Sequence, residues 1–325
     1  MNANALANRL NSLSVQRPIT VLGAVVIDVI ADAYSLPWRG CDIELQQQSV
    51  NIGGCAFNVA LALKRLGLET QNVLPLGQGV WADIIRNSLT QRGMRSAIET
   101  DEGDNGWCLA LVEPDGERTF MSFSGVENQW RASWLDNLVV QPQSLVYLAG
   151  YQLASPRGEV LVDWLENLSQ VTPFIDFGPR IADIPEAMMS RIMALKPIVS
   201  LNRQEAEIAA RALGVHNEVQ SLGAAWLAHY GSPLIVRQDS EGAWFFDEKA
   251  QGCAAPFSAS VVDTIGAGDS HAGGAIAGLS AGWSLAESVT LGNAVASFVV
   301  SHRGGDCAPT VDELTARLKL ANEGV

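Results

Sequence analysis

The chain has 325 residues, of which 48% are hydrophobic and 17% are charged, and its formal net charge at pH 7 is −14. This length suits one large α/β domain or a large domain plus a small one, and we expect a single domain spanning residues 1–325. The acidic balance argues against a nucleic acid partner, because proteins bind nucleic acid phosphates largely through Lys and Arg. The N-terminus is polar, and the sequence has no run of about 18 apolar residues, so we expect no signal peptide and no membrane partner. The five cysteines are scattered, which favours a reducing, cytoplasmic location.

The first predicted element is an almost continuous apolar run, Ile19–Ile30. Its richness in Val and Ile predicts a strand buried on both faces. Gly53 and Gly54 then precede CAFNVALALKRLG, whose apolar residues recur at helical spacing. A strand over 71–77 and a helix over 81–93 follow, so the chain opens with strand–helix alternation.

Two segments of different character interrupt this alternation. Residues 35–51 and 106–123 read as antiparallel strands, and the turn Pro114-Asp115-Gly116 separates two β-prone runs. We therefore expect a small sheet outside the layered core, with segments at about 33–52 and 104–125 inserted into the α/β domain.

From Ser144 the alternation resumes and continues into a helical last third. It predicts an α/β fold with a mostly parallel central sheet and helices on both faces, in which ligands bind beyond the carboxyl ends of the strands. The predicted strands are 144–150, 173–178, 197–202 and 233–239, with short strands near Phe245 and Cys253, and the predicted helices are 158–170, 184–195, 203–214, 221–231, 269–282 and 285–302.

The segment DTIGAGD, Asp263–Asp269, carries the strongest chemical signal. Gly266 and Gly268 let backbone N–H groups turn inward, and the N–H groups of the helix that follows have no partner within it. Together these groups form a cradle for an anion that develops during a reaction. Asp269 beside the cradle can accept a proton from a substrate hydroxyl. The alternative is that Asp269 only caps the helix.

Two further helix starts suit ligand contacts. The glycine pair Gly53-Gly54 brings backbone close to a ligand, and Asn58 one turn later points the same way. Asn202 and Glu205 have the spacing of a capping box. The same two side chains also suit a place near phosphates and a water-bound Mg²⁺, and both readings can hold together.

These motifs resemble those of the PfkB (ribokinase-like) carbohydrate kinase family, from about Ile19 to about Asp312. The resemblance implies a three-layer α/β/α fold in which the small sheet is a lid over the sugar and often a dimer interface. The residues that carry it are Gly53-Gly54 with Asn58, N-x-x-E at 202–205, DTIGAGD at 263–269, GERTF at 116–120 and RGG at 303–305.

By this resemblance Asp269 is the catalytic base, and the backbone of Gly266, Ala267 and Gly268 is the anion hole. ATP and Mg²⁺ are the implied cofactors, and many relatives also bind a monovalent cation such as K⁺. The other implied positions are Asp28, Gly53, Gly54 and Asn58 for sugar hydroxyls, Asn202, Glu205, Gly242 and Asn293 for the nucleotide, Glu205 for Mg²⁺ through water, and Asp263 with the backbone of Ile265 for the monovalent cation.

Departures from the family pattern leave the acceptor open. Val26 and Cys55 stand where ribokinases have asparagine and lysine, which puts ribose in doubt, and Arg237 begins the segment that is usually T-L-G. We expect ATP-dependent phosphorylation of a hydroxymethyl group of a sugar. The alternatives are an inosine, guanosine or pseudouridine kinase, a 2-keto-3-deoxy sugar acid kinase in which Arg180 faces the acid, and a non-catalytic sugar- or nucleotide-binding protein. A homodimer through the lid edge is a further expectation.

Overall fold

The computed structural model describes residues 1–323. Its helices are α1 (Ala3–Leu10), α2 (Cys55–Arg65), α3 (Val80–Gln91), α4 (Ala132–Leu135), α5 (Gly150–Leu153), α6 (Gly158–Asn167), α7 (Glu186–Ala194), α8 (Arg203–Ala212), α9 (Val219–Tyr230), α10 (Ala267–Ser280), α11 (Leu285–Val299) and α12 (Val311–Glu323). Its strands are β1 (Ile19–Leu22), β2 (Val26–Asp32), β3 (Gln46–Gly53), β4 (Gln71–Val73), β5 (Trp107–Val112), β6 (Arg118–Phe123), β7 (Leu145–Ala149), β8 (Thr172–Asp176), β9 (Ile198–Leu201), β10 (Leu234–Arg237), β11 (Ala243–Phe246) and β12 (Gln251–Ala254).

The central sheet has eight strands in the order β12-β11-β10-β9-β8-β7-β1-β4. Six neighbouring strands are parallel to one another, namely β4, β1, β7, β8, β9 and β10. At the other edge, β11 is antiparallel to β10, and β12 is antiparallel to β11. One face packs on a core that includes side chains of α1, α2, α10 and α11, and the other on side chains of α6, α8 and α9. The predicted α/β fold with a mostly parallel central sheet is confirmed. Within residues 1–323, no helix is both long and apolar enough to cross a membrane.

The first predicted strand, Ile19–Ile30, is wrong in one respect, because it divides between two sheets. β1 lies in the central sheet, whereas β2 pairs with β3 and β5. Between them Gly23 has φ +148°, and a Cβ there would lie 2.8 Å from Cβ of Ala56. The close approach of α2 at this point requires glycine, and the chain turns out of the central sheet here.

The small sheet has the strand order β3-β2-β5-β6 and stands apart from the central one. β2 and β5 are parallel, and the two outer strands are antiparallel to them. It therefore begins at Val26, ahead of the inserted segment expected at about 33–52.

Helix α10 packs closely on both α11 and α2. A Cβ on Gly273 would lie 2.7 Å from Cβ of Ala62, and one on Gly274 would lie 2.9 Å from Cα of Gly292. These glycines of α10 cost helix propensity but allow the backbones to approach. That approach places the start of α10 against the start of α2.

Candidate active site

A cavity of about 160 Å³ opens beyond the carboxyl ends of four neighbouring strands, β7 to β10. The start of α2 closes one side of it, and the start of α10 closes another. Its lining residues are Cys55, Tyr147, Ala149, Tyr151, Asp176, Gly178, Pro179, Glu205, Arg237, Gly268 and Asp269. This is the position expected for a ligand site in a parallel α/β sheet.

Asp269 lies in the first turn of α10 with its side chain at this cavity. The helix cap is Gly266, so Asp269 does not cap the helix. Its Oδ2 accepts a hydrogen bond from Nδ2 of Asn58 at 2.8 Å. Burial raises the pKa of Asp269, with a further contribution from the charge of Asp176, while hydrogen bonds from Asn58 and the Cys55 thiol act in the opposite direction.

The expected anion hole is a tight turn followed by the start of α10. Gly266 has φ +72°, and a Cβ there would lie 2.6 Å from Cα of Gly305, so only glycine fits. The N–H of Ala267 donates to the carbonyl of Thr264 at 3.3 Å, a long bond. Helix geometry leaves the N–H groups of Gly268 and Asp269 without acceptors inside α10.

Asp28 belongs to β2 of the small sheet rather than to the end of the first central strand. Its carboxylate occupies the space above Gly53, where a Cβ would lie 1.9 Å from Oδ2. Burial and the nearby charge of Asp269 raise the pKa of Asp28 to about 6. The structure thus brings together two carboxylates that are far apart in sequence.

Trp107 does not share the sheet face of Asp28. It is the partner of Ile27 in the register, and side chains alternate along a strand. Its ring stacks on Phe123 at 4.3 Å between centroids and lies 5.8 Å from Trp81 of α3. These aromatic rings therefore pack with α3 on the face opposite Asp28.

The predicted helix start at Gly53-Gly54 is present. Gly54 has φ +104°, and a Cβ there would lie 2.6 Å from the carbonyl oxygen of Ala24. Asn58 follows in the first turn of α2 and is buried. Its Oδ1 is buried and accepts no hydrogen bond within the described chain, while its Nδ2 donates to Asp269.

Asn202 and Glu205 form the predicted capping box, and Glu205 also lines the cavity. The carboxylate of Glu205 accepts from the N–H of Asn202 at 2.9 Å and from Nδ2 of Asn202 at 2.6 Å. Burial, together with the charge of Asp176, raises the pKa of Glu205 to about 7, although Arg237 lowers it. The structure is therefore compatible with both interpretations of this pair, a capping box and a place near bound phosphates and Mg²⁺.

Arg237 is a buried cation that the sequence reasoning noted only as a departure from the family pattern. Its guanidinium donates to both oxygens of Asp176, at 2.5 and 3.3 Å, and to the carbonyl of Gly268 at 3.2 Å. It also lies 3.8 Å from Oε2 of Glu205. The signal available in the sequence was a charged residue directly after the apolar run PLIV, at a strand end.

One carboxylate of the cavity, that of Glu205, fits a place near a Mg²⁺ ion that arrives with nucleotide phosphates. Within residues 1–323, no group of three or more His, Cys, Asp or Glu side chains is arranged to hold a metal by itself. Asp176 already accepts hydrogen bonds from Arg237 and from the N–H of Gly178. Glu205, in the part of the chain that the structure describes, accepts only from Asn202. Mg²⁺ commonly reaches a protein carboxylate of this kind through water.

Gly242 and Asn293 meet at the end of β12. A Cβ on Gly242 would lie 2.3 Å from the carbonyl oxygen of Ala254. Asn293 donates to the carbonyls of Ala254 and Ala255, each at 3.0 Å, and its Oδ1 lies 3.1 Å from Nε2 of His271. The side chain of Asn293 thus holds backbone in place beside the expected nucleotide.

Arg180 lies outside the cavity. Its side chain is 53% exposed and pairs with Asp183 at 3.0 Å. The guanidinium stands 5.7 Å from the ring centroid of Tyr151. Gly178 and Pro179 of the same segment line the cavity instead.

Asp263 and Ile265, the expected ligands of a monovalent cation, lie next to the anion-hole turn. Asp263 is buried, and its carboxylate accepts hydrogen bonds from Arg118, from the N–H of Ile265 and from the N–H of Gly304. Burial alone would raise the pKa of Asp263, but these three donors hold it below its usual value. A site filled by three donors does not fit a metal cation.

The profile of the pfkB family of carbohydrate kinases matches residues 16–311. The chain is 65% identical over 314 residues to the Escherichia coli (strain K12) protein described as uncharacterized sugar kinase YegV, and the match covers 97% of this chain and 98% of that one.

The fold is shared with solved structures, of which two ribokinases are examples. Ribokinase from Thermotoga maritima superposes with a TM-score of 0.82 at 20% identity, over 93% of this chain and 99% of that one. Arabidopsis thaliana ribokinase complexed with ribose and ATP superposes with a TM-score of 0.75 at 21% identity, over 93% and 99% of the two chains.

The family match spans nearly the whole chain, and it confirms the resemblance carried by the DTIGAGD segment and the glycine pair. The protein is accordingly a phosphotransferase with an alcohol group as acceptor. The chain belongs to the pfkB family of carbohydrate kinases.

Proposed function

We propose that this kinase transfers the γ-phosphoryl group of ATP to a hydroxymethyl group of a sugar, with Asp269 as the base. The observation that carries the proposal is the position of the Asp269 carboxylate. It lies at the strand-end cavity, in the first turn of α10, directly after the Gly266 turn. A general base and N–H groups that stabilise anionic charge are what a phosphoryl transfer to an alcohol needs.

The residues around Asp269 prepare it to take a proton. Asn58 and the Cys55 thiol donate to its carboxylate, which fixes its direction and favours the charged form. Burial acts the other way and makes the carboxylate a stronger base. As the sugar oxygen bonds to the γ-phosphorus, the bond from that phosphorus to the β–γ bridging oxygen breaks and ADP leaves. The hydroxyl proton passes to Asp269, and backbone N–H groups of residues 266–268 stabilise the charge on the phosphoryl oxygens. Glu205 would hold Mg²⁺ through water, and the ion would supply positive charge to the phosphates.

A neutral acceptor fits this site better than an acidic one. Asp28, Asp176, Glu205 and Asp269 surround or line it, and Arg237 is already paired with Asp176. The 2-keto-3-deoxy sugar acid alternative relied on Arg180, which lies at the surface. A sugar bound through hydroxyls to Asp28 and Asn58, with the backbone of Gly53 and Gly54 close by, is therefore the favoured substrate class.

The second copy of this chain is the proposed protein partner. The small sheet exposes large apolar side chains on the face opposite Asp28, and pairing two such faces would cover them. The exposed residues on that face are Val50, Met121 and Phe123, whereas the exposed Phe120 lies on the other face.

The test is ADP release with purified protein and MgATP over a panel of neutral sugars, sugar acids and nucleosides. We expect turnover with at least one neutral sugar. Turnover confined to nucleosides or to sugar acids would replace the proposed substrate class. ATP binding without any turnover over the whole panel would favour the non-catalytic alternative.

A further inference from the structure

One ion pair joins the small sheet to the loop that forms the anion hole. Arg118 begins β6, in the second half of the hairpin made with β5. Its Nη1 donates to Oδ1 of Asp263 at 2.8 Å, across 145 residues of sequence. The side chain of Asp263 is 6% exposed, and that of Arg118 is 30% exposed. The guanidinium therefore meets a carboxylate that solvent scarcely reaches.

The same carboxylate organises the two loops around the Gly266 turn. Oδ1 of Asp263 also accepts from the N–H of Ile265 at 3.0 Å, and Oδ2 accepts from the N–H of Gly304 at 3.1 Å. Gly305, the next residue, lies directly against Gly266. Asp263 thus holds the segment that leads into the anion hole and the segment packed behind it.

We propose that Arg118 is a built-in cation at Asp263, which takes the place of a bound monovalent cation and couples the small sheet to the anion hole. A buried carboxylate needs a compensating positive charge. Here the charge comes from a side chain of the chain itself, on the element expected to close over the sugar. The position of that element therefore affects the anion-hole turn through this ion pair.

The Arg118–Asp263 pair determines how the protein should respond to monovalent cations. With Arg118 in place, K⁺ has no unpaired carboxylate to bind at Asp263. When Arg118 is truncated, the carboxylate keeps its two backbone donors but loses its charge partner, and a K⁺ ion can enter. A built-in charge and an exchangeable one are thereby distinguishable by changing the salt.

The first experiment measures the melting temperature in KCl and in choline chloride at equal ionic strength, and it needs no turnover. The variants are the wild type, Arg118→Ala, Arg118→Lys and Arg191→Ala. Arg191 is the matched control, because its side chain is 32% exposed and pairs with acids on α6, far from Asp263 in the fold. Wild type, Arg118→Lys and Arg191→Ala should each melt at the same temperature, within about 1 °C, in the two salts.

Arg118→Ala should melt several degrees lower in choline chloride and recover by about 2–4 °C in KCl. A wild type stabilised by K⁺ but not by choline would overturn the proposal, even if Arg118→Ala did not fold. An Arg118→Ala variant with no K⁺ response would overturn it as well.

The second experiment concerns turnover and rests on the proposed function. The wild-type kcat should be equal in the two salts, whereas Arg118→Ala should lose roughly tenfold or more in kcat, with partial recovery in K⁺. The melting experiment does not depend on a known acceptor. Failure to find a substrate would therefore count against the proposed function only, and the melting temperatures would still decide the inference about Arg118. A wild type that requires K⁺ for turnover would contradict the inference while supporting the kinase activity.

Discussion

Replacing Asp28 with asparagine is expected to stabilise the protein while it weakens sugar binding. Burial and the charge of Asp269 raise the pKa of Asp28 from 3.8 to about 6, so the folded protein binds this proton more tightly than the unfolded chain does. Between these two values the free energy of unfolding falls as the pH rises, and above about pH 7 the full penalty is present. The amide side chain of the Asp28→Asn variant is neutral and does not carry that penalty.

The magnitude follows from the two pKa values. A change from 3.8 to about 6 corresponds to at most about 3 kcal/mol, and because Asp28 is only partly buried we expect about 1–3 kcal/mol. At about 2.1 cal/mol/K for each residue, unfolding of this chain has an entropy of about 0.7 kcal/mol/K. Asp28→Asn should therefore raise the melting temperature at pH 8 by about 2–4 °C.

The assay is thermal unfolding of the wild type and Asp28→Asn from pH 4 to pH 8 at low protein concentration. The gain should be complete above about pH 7 and should shrink as the pH falls through 6 toward 3.8. Asp136→Asn, which changes an exposed carboxylate just after α4, is the control and should change the melting temperature by less than about 1 °C. An Asp28→Asn variant that is less stable than the wild type at pH 8 would show that the buried charge of Asp28 does not destabilise the folded protein.

Two further substitutions probe the backbone turn and the buried cation. Gly266→Ala should lose about 1–3 kcal/mol of stability and most of its turnover. The control is Gly93→Ala, where φ is +63° and nothing lies within 4 Å of a Cβ, so stability should fall only by the energy of the strained backbone. Equal losses of the two variants in chemical denaturation would contradict this. Arg237→Met should lose about 3–5 kcal/mol of stability, because two buried carboxylates lose their cation. Arg191→Met, which removes an arginine from a surface ion-pair network, should lose about 1 kcal/mol or less. Equal losses of the two variants in urea unfolding would show that Arg237 does not stabilise the buried carboxylates.

The sequence predicted those parts of the molecule that local patterns determine. Strand–helix alternation from residue 144 onward gave the parallel strands, because buried strands and amphipathic helices have different periods. The DTIGAGD segment predicted the turn and helix start at Gly266, since glycine spacing at a helix N-terminus is itself a local feature.

Local patterns could not predict contacts between residues that are distant in sequence and meet only in the folded chain. The apolar run from Ile19 onward gave no sign of a sheet change at Gly23, because residues of both sheets are apolar there. Arg237 and Asp176 are 61 residues apart and meet only because β8 and β10 flank β9 in the central sheet. Helices α1 and α12, which lie near the two ends of the sequence and pack on each other in the fold, were also not predicted from the sequence.

The role of Asp269 as the base is decided by the turnover of Asp269→Asn with the acceptor found in the substrate panel. The structure leads us to expect a fall in kcat of roughly 10²–10⁴-fold, with the dissociation constant for MgATP within about threefold of the wild type, and with Asp136→Asn unchanged in both. Turnover of Asp269→Asn within a few-fold of the wild type would contradict the assignment of this carboxylate as the base.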